Sequence, residues 1–364
     1  MQDVLSFFSF TYSEARAKFL SACQNAGAKV TNFKNPYLGL ENEYLYTDVA
    51  LFGDNKSSKC LLITSGVHGV EGFLGSACQI GWIDRKYYQK ISSDVSVILV
   101  HAINPYGFSW LRRVTEGNVD LNRNFIDHNS IYPENPLYSE LLNSLCPKSW
   151  DEALLQIINR DIETFQEKYG SITYRKVLTK GQYKYPDGIF YGGVEPTWSN
   201  LTVRKIAEKF CKNKKRVIFL DFHTGLGSYG DCELISCSAK ETDNYRYAKE
   251  LFGEVVSITS DSLKQLDICG DIQTGLTNIL PITELINIAL EYGTYSFSEI
   301  IDTLRADNWL HLYGDLQNKK GKKIKENIRN AFYPDSDAWK KQVWTQAEYI
   351  LTKALGGLSK SNDE

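Results

Sequence analysis

Short apolar runs that stop abruptly at polar side chains and glycines are the feature of this sequence that most constrains its fold. Residues 60–63 read CLLI and are broken by Ser65 and Gly66, and residues 95–102 (VSVILVHA) and 215–222 (KRVIFLDF) follow the same design. Continuous apolar runs of this length are typical of strands that are buried on both faces. The sequence therefore predicts strands that lead into polar loops at one edge of a sheet.

Segments with helical character separate these strands. Ser13 is the predicted N-cap of the first helix, and Asp54 to Lys56 form a predicted hairpin turn between two strands. Residues 104–107 are predicted to leave their strand as a loop, and residues 129–150 are loop-rich. Helices are predicted at 13–28, 75–88, 151–169, 201–211 and over most of 297–364, and further strands at 43–52, 59–65, 233–237 and 288–292.

This alternation predicts the fold class. Apolar strands that alternate with helices indicate an α/β protein with a central mixed, mainly parallel sheet that helices flank on both sides. No repeat, low-complexity tract or clear linker interrupts the chain, so one domain is predicted over residues 1–364. The motifs discussed below fall within about 43–294, and 297–364 form a mostly helical C-terminal part.

Charge and composition exclude several classes of protein. The net charge of -3 argues against a general nucleic-acid binder, and the one dense basic run, residues 319–325, is predicted to be a solvated loop. No apolar stretch approaches the ~18 residues of a membrane span. The eight cysteines lack any CxxC spacing, and the N-terminus lacks the pattern of a secretory signal. A cytoplasmic protein with reduced thiols is therefore predicted.

A histidine and a glutamate follow the first buried strand. His68 and Glu71 leave one loop three residues apart, a spacing that suits two zinc ligands because both side chains reach the same point. Gly66, Gly69 and Gly72 surround them and allow backbone conformations and close approaches that a residue with a Cβ atom resists. An HxxE pattern is weak by itself, so the metal site depends on a third ligand.

The third ligand is sought among the other histidines, because catalytic zinc sites hold three protein ligands and one open position. His223 directly follows the strand 215–222 and precedes a glycine-rich stretch, as His68 does. Ligands at the carboxyl ends of neighbouring strands converge on one crevice. The alternative for His223 is a satisfied polar group at the sheet edge. His101 is predicted to have a core or supporting role, and His128 and His311 have no strand before them.

A loop after the second buried strand collects cations and amides. Asn and Arg side chains in a cleft can bind a carboxylate, and an Arg near zinc can stabilise the oxyanion of an attacked carbonyl. The alternative is that the arginines lie at the surface and pair with Glu116 and Asp120. The cations and amides of this loop, which spans residues 104–125, are Arg112, Arg113, Asn122 and Arg123.

Hydrolysis at zinc also needs a group that takes a proton from water and delivers it to the leaving nitrogen. Glu291 lies near the end of the apolar strand 288–292, where an acid without a purpose is costly. Its rival Glu284 lies on a stretch that looks exposed. Glu291 is therefore the predicted general base.

Taken together, these motifs resemble the zinc carboxypeptidase superfamily (carboxypeptidase A-like), in a bacterial branch near the aspartoacylase and succinylglutamate desuccinylase group. The resemblance covers about two thirds of the chain, and its motifs are specific as a set. It implies one α/β domain, one zinc ion and hydrolysis of an amide by metal-activated water. It further implies that His68, Glu71 and His223 bind zinc, Glu291 is general base and then acid, Arg113 polarises the carbonyl, and Asn122 and Arg123 bind the substrate carboxylate. Arg112 is the alternative to Arg113.

The chain departs from the family pattern in residues 267–275, where digestive carboxypeptidases carry a mobile tyrosine and this sequence has none. Asp271 or Gln273 is a candidate specificity residue there, and 190–199 and, more weakly, 308–311 are candidate cleft walls. The predicted function is a zinc metallohydrolase that cleaves an amide next to a free carboxylate. It acts either as a carboxypeptidase on a small peptide or as a deacylase of N-acyl amino acids. A non-catalytic binding protein on the same fold is the third reading.

Overall fold

A single mixed sheet organises the molecule. The computed structural model describes residues 3–259 and 268–359. Within them the sheet has eight strands in the order β1-β2-β4-β3-β5-β8-β6-β7. The strands are Lys29–Leu38 (β1), Tyr44–Gly53 (β2), Lys59–Thr64 (β3), Val95–His101 (β4), Arg216–Tyr229 (β5), Cys232–Ser236 (β6), Val256–Ser257 (β7) and Glu284–Gly293 (β8).

Helices cover both faces of this sheet and extend beyond one end of it. None of the helices in the described ranges is long and apolar enough to cross a membrane. The α-helices are Tyr12–Asn25 (α1), Gly72–Asp84 (α2), Pro105–Ser109 (α3), Tyr138–Leu145 (α4), Glu152–Tyr169 (α5), Ser171–Lys180 (α6), Trp198–Phe210 (α7), Asp243–Phe252 (α8), Ile272–Ile279 (α9), Phe297–Tyr313 (α10), Lys319–Phe332 (α11) and Asp337–Ser359 (α12).

The centre of the sheet is parallel and is buried on both faces. The four central strands are adjacent in the order β4, β3, β5, β8 and run parallel to one another. Antiparallel pairs lie on both sides of this group. Alternate residues of β3 enter two apolar clusters: Leu61 and Ile63 pack on the side of α2 and α12, and Cys60 and Leu62 on the side of α7 and α9. The predicted fold class, a mainly parallel α/β sheet flanked by helices, is confirmed.

A third apolar cluster lies beyond the sheet and includes Val70 of the loop after β3. It joins α4, α5, α6, α10 and α11, with Phe332 at the end of α11 and Ile300, Ile301 and Leu304 on α10. The predicted helical character of the C-terminal part is confirmed by α10, α11 and α12. The one-domain organisation stays a prediction.

The predicted hairpin between residues 43–52 and 59–65 is wrong. β2 and β3 follow each other in the chain, but β4 lies between them and pairs with both. Asp54 and its neighbours do form a turn, with the N of Ser57 donating to the O of Asp54 at 3.0 Å. A turn fixes the local chain direction, but long-range packing decides which strands become neighbours.

Several other local predictions need correction. The first helix is capped by Thr11, whose side chain accepts from the N of Glu14, so Ser13 is not the cap. Residues 104–107 are not an open loop, because Asn104 caps the short helix α3. β5 continues through His223 to Tyr229, and α4 lies in the stretch predicted to be loop-rich. β1 was not predicted at all.

The basic run 319–325 is also not a solvated loop. It forms the first part of α11, and Lys325 is buried on the inner side of that helix. Its Nζ donates to Oδ1 of Asp307 on α10, and Nε of Arg112 donates to Oδ2 of Asp307 at 3.0 Å. One buried carboxylate therefore joins α10, α11 and the loop that carries Arg112.

Replacing Asp307 by asparagine is expected to cost roughly 2–3 kcal/mol of unfolding free energy, because two buried cations lose their counter-charge. Burial opposes the Asp307 carboxylate, but Lys325 and Arg112 lower its pKa to about 2. The unfolded value is about 3.9, so this stabilisation is present above about pH 4 and is lost as the pH falls towards 2. Denaturant unfolding of the wild type and Asp307→Asn at several pH values measures it.

The control is Glu326→Gln on α11, which removes an exposed ion pair with Lys323 and should change stability by less than about 1 kcal/mol. A cost for Asp307→Asn no larger than that of the control, or a difference that persists at pH 2, would contradict the role given to Asp307.

The loop after β3 lies directly against α3. A Cβ atom on Gly69 would be 2.0 Å from the carbonyl carbon of Gly107, so only glycine fits at this position. The N of Gly69 donates to the O of Arg113 at 3.2 Å, and the N of Val70 donates to the O of Arg112 at 2.9 Å. The glycine thus permits the close contact between the loop after β3 and α3.

Candidate metal centre and active site

The loops and strands that carry the predicted site residues meet at one edge of the sheet. β5 lies between β3 and β8. His68 and Glu71 follow β3, where His68 precedes a short 3-10 turn and Glu71 is its last residue, while β5 carries His223 and β8 carries Glu291 as its register partner. Residues that pair in register on neighbouring strands point to the same face of a sheet. The four side chains therefore converge from three neighbouring strands.

Three of these side chains surround one point. One ligand atom from each of His68, Glu71 and His223 lies within 4.8 Å of the other two, and all three residues are buried. Nδ1 of His68 is 3.0 Å from Oε1 of Glu71, and Nδ1 of His223 is 3.0 Å from Oε2. The arrangement is a candidate metal site whose donors, two imidazoles and a carboxylate, are ones that zinc binds.

Two buried aspartates determine which imidazole nitrogens face this point. Oδ1 of Asp120 lies 3.0 Å from Nε2 of His68, and Oδ2 of Asp221 lies 2.6 Å from Nε2 of His223. A carboxylate accepts the Nε2 hydrogen, so that Nδ1 keeps its lone pair. His68 Nδ1 is buried and makes no hydrogen bond, although a Glu71 oxygen is 3.0 Å away. Two electron-rich atoms face each other there, and a cation fits between them.

The charges of the centre depend on one another. Burial alone would raise the pKa of Glu71, but His68 and His223 hold it below its ordinary range. Burial likewise opposes the charged form of His223, but Asp221 and Glu71 raise its pKa well above the usual value. The carboxylates that favour a positive charge on His223 would likewise favour a cation bound at the same point.

Arg113 contacts the centre directly and Arg112 does not. Arg113 Nη1 donates to Oε1 of Glu71 at 3.0 Å, and its Nε donates to Oδ2 of Asp120 at 3.0 Å. Arg112 points to Asp307 and does not line the cavity at the centre. The structure thus brings Arg113 together with the predicted ligands and places Arg112 elsewhere.

Asn122 and Arg123 lie on a short turn at the side of the cavity. Asn122 Oδ1 accepts from the N of Ile272 at 3.1 Å, which ties this turn to the start of α9. Arg123 donates from Nη1 to the O of Asn122 at 2.7 Å and from Nη2 to the O of Thr179. Its Nε is buried and has no hydrogen-bond partner. Arg123 therefore keeps one buried donor that protein groups do not use.

Glu291 is buried beside the centre, and its Oε1 accepts from the N of Leu226 at 3.1 Å. Burial and the negative charge of Glu71 raise the pKa of Glu291 to about 8. A carboxyl group with a raised pKa in a cleft is a candidate acid or base. Glu284, its rival in the sequence, is exposed at the other end of β8 and pairs with Arg216 at 2.8 Å.

A cleft joins these residues and opens to solvent. Its walls are polar near the centre and apolar beyond it. All of the predicted site residues except Arg112 line the cleft, namely His68, Glu71, Arg113, Asn122, Arg123, His223 and Glu291.

Sequence reasoning missed two contributors to this site. Asp221 lies two residues before His223 in an apolar strand, and a buried acid in such a run is the signal that could have identified it. The second contributor is the wall formed by α10 and α11, for which the sequence offers no local signal. Phe190, from the stretch predicted as a cleft wall, adopts a left-handed conformation (φ 56°), with its ring centre 5.4 Å from the Arg113 guanidinium and 5.9 Å from that of Arg123.

Some of the weaker candidates for specificity residues and cleft walls line the cleft, and others do not. Asp271 and Gln273 line the cleft, but Asp271 caps α9, and Gln273 accepts from the N of Cys237 at 2.9 Å. Phe190 lines the cleft, whereas residues 308–311 lie on α10 and do not. Position 267, where the tyrosine-free stretch begins, lies outside the described residues.

The sheet and the centre at its edge define an α/β protein with the carboxypeptidase-like fold. The crystal structure of thrombin activatable fibrinolysis inhibitor superposes with a TM-score of 0.52 at 11% identity, covering 96% of this chain and 74% of that chain. The family model described as protein of unknown function (DUF2817) matches residues 8–346, and the chain belongs to that family. No curated protein sequence matches this chain.

Two further solved structures are similar but superpose more loosely. Carboxypeptidase A from Helicoverpa armigera has a TM-score of 0.47 at 13% identity and covers 90% of this chain and 75% of its own. An aspartoacylase family protein from Mesorhizobium loti has a TM-score of 0.36 at 14% identity, with 80% and 68% covered. The likeness to thrombin activatable fibrinolysis inhibitor, at 11% identity, concerns the fold alone, and at that level the predicted resemblance to the zinc carboxypeptidases is confirmed.

Proposed function

We propose that this protein is a zinc-dependent hydrolase that cleaves an amide bond next to a free carboxylate. The observation that carries the proposal is the pair of inward-facing Nδ1 atoms of His68 and His223 around Glu71, with a buried acid, Glu291, beside them. One zinc ion bound by these three residues would make an attacking water acidic and polarise a carbonyl group. A cytoplasmic location stays part of the proposal.

Glu291 would take the proton of the attacking water and deliver it to the leaving nitrogen. Its raised pKa suits the second task, because a group that ionises near neutral pH can both accept and return a proton. A cation at the centre offsets the charge of Glu71 and favours the Glu291 carboxylate that must first accept the proton. The bond from the N of Leu226 fixes the orientation of Glu291.

Arg113 would stabilise the oxyanion. Two of its N–H groups are held by Glu71 and Asp120, which orient the guanidinium, and an arginine has five such groups. Arg113 lines the cleft, and its remaining N–H groups would be the donors to the oxyanion. A preorganised cation at the point where negative charge develops lowers the barrier most.

Asn122 and Arg123 would bind the free carboxylate of the substrate. The support is the unused buried Nε of Arg123 and the position of both residues on the cleft wall. A buried guanidinium group without a carboxylate partner is costly, and an anionic ligand compensates for it. The substrate would be a small peptide or an N-acyl amino acid, because both carry a free carboxylate next to an amide bond.

The proposal is tested with purified protein by metal analysis and by a screen for hydrolysis. Peptides with varied C-terminal residues and N-acyl amino acids are each incubated with and without a chelator, and the products are quantified. Release of product that stops with chelator and returns with zinc is the expected result. If the protein binds zinc but hydrolyses neither series, the non-catalytic reading replaces the enzyme. If it binds no divalent ion, the metal centre itself is wrong.

A further inference from the structure

Two helices that follow the last strand form an apolar wall of the cleft. α10 and α11 together supply a continuous hydrocarbon surface with no charged or amide side chain in it. All of its side chains except the half-buried Phe297 are less than a tenth exposed. The residues of this surface, the C-terminal wall, are Phe297, Ile300, Ile301, Leu304 and Phe332.

The C-terminal wall approaches the centre from the side of β5 and the loop after β3. Oγ1 of Thr224, next to His223, donates to the O of Phe332 at 2.6 Å, and a Cβ atom on Gly225 would be 3.1 Å from the Phe332 ring. α11 contacts both β5 and the 3-10 turn that contains Glu71. The end of α11 is therefore fixed to the two segments that carry the candidate ligands.

The proposed carboxylate site is held by other contacts. Asn122 accepts from the N of Ile272, and the N of Phe125 donates to the O of Gly270 at 2.9 Å. Arg123 donates to the O of Thr179 on α6, a helix that packs in the same apolar cluster as α10. The C-terminal wall therefore lines one cleft with both the centre and the carboxylate site, and a substrate held at both can place hydrocarbon against it.

We propose that the substrate group across the scissile bond from the carboxylate is apolar, an aliphatic or aromatic acyl group larger than acetyl. Ile300, Leu304 and Phe332 determine this specificity. The inference rests on the proposed function for the direction of the substrate. Its physical basis is that transfer of hydrocarbon from water to an apolar wall is favourable, whereas a charged or amide group there would lose its hydration without a partner.

The first test measures binding, so that it does not depend on turnover. N-acetyl, N-butanoyl, N-hexanoyl and N-octanoyl glycine are titrated into the zinc-loaded Glu291→Gln variant by calorimetry. Each added methylene is expected to tighten binding by roughly fourfold until the wall is covered. An affinity that stays constant from acetyl to hexanoyl would overturn the inference.

The second test locates the effect with a matched pair of substitutions. Ile300→Ala removes cleft surface, and Ile328→Ala removes the same atoms from the same apolar cluster at a position that does not line the cleft. Ile300→Ala should abolish most of the increase in affinity from the acetyl to the hexanoyl compound, and Ile328→Ala should retain that increase. Equal dependence on chain length in both variants would count against Ile300.

A third variant covers the case in which alanine at position 300 prevents folding. Ile300→Phe fills the cleft, and is expected to weaken binding of the octanoyl compound by tenfold or more while the acetyl compound binds as before. Unchanged binding of both compounds contradicts the assignment.

If binding tightens with chain length but the wild type hydrolyses none of the compounds, the proposed reaction fails and the apolar site stands. If the wild type hydrolyses the compounds without any dependence on chain length, the proposed reaction stands and the apolar site fails.

Discussion

Replacing Glu291 by glutamine is expected to lower kcat by about 100- to 10,000-fold, the contribution of a general acid and base. Glutamine has nearly the same shape and can still accept a hydrogen bond from the N of Leu226 through its amide oxygen, so the cleft should keep its geometry. Glu291 is not among the three residues of the candidate centre, and the zinc content should therefore be unchanged. Steady-state kinetics with the best compound of the screen and metal analysis of the same preparation give both values.

The control for this prediction is Glu284→Gln, at the exposed end of the same strand. It removes a carboxylate that pairs with Arg216 and should leave kcat unchanged. A Glu291→Gln variant that retained more than about a tenth of the wild-type kcat would remove Glu291 from the role of general base. A variant that lost zinc as well would reassign Glu291 to the metal centre.

Loss of metal is the second large effect expected. His223→Ala removes one of three ligands and should weaken zinc binding by more than the 10- to 100-fold that loss of a residue behind a ligand typically costs. Asp221→Asn keeps the imidazole but removes the carboxylate 2.6 Å behind it, and should fall within that 10- to 100-fold range. Competition with a chromogenic chelator measures both affinities, and circular dichroism establishes that each variant is folded.

His128→Gln is the matched histidine control, because His128 bonds to the O of Asn124 and does not line the cleft. It should bind zinc as the wild type does. If His223→Ala kept wild-type affinity, the centre would have to be built from other residues. If Asp221→Asn had no effect, Asp221 would serve only the packing of β5.

The parts of the fold that sequence predicted well are those where burial dictates composition. β3, β4 and the first half of β5 are covered on both faces, so their residues form continuous apolar runs that sequence alone reveals. β1 was missed because it is an edge strand with half-exposed, mixed residues, KVTNFKNPYL, that follow no clear pattern. The hairpin failed because a turn is local, whereas the insertion of β4 between β2 and β3 is a property of the whole sheet.

The candidate site likewise contains residues that the sequence reveals and residues that it does not. Its predicted residues lie within or after buried apolar strands, a pattern that is visible in the sequence, and the structure brings all but Arg112 to one cleft. Neighbours such as Arg112 and Arg113 cannot be separated by sequence, because only the backbone path decides which guanidinium faces the cleft. Charge misled the reading of residues 319–325, since Lys325 pairs with a buried Asp307 that lies 18 positions before it. The C-terminal wall depends on helix packing, which no short motif encodes.

The contact between Gly69 and Gly107 has a consequence for how this protein can be altered. Because the loop after β3 and the loop after β4 share two backbone hydrogen bonds and a van der Waals contact without room for a side chain, the two loops form one mechanical unit. A length change in either would displace His68, Glu71 and Arg113 together. Transplanting the centre into another scaffold therefore requires both loops. Natural variation in loop length should be confined to loops other than these two.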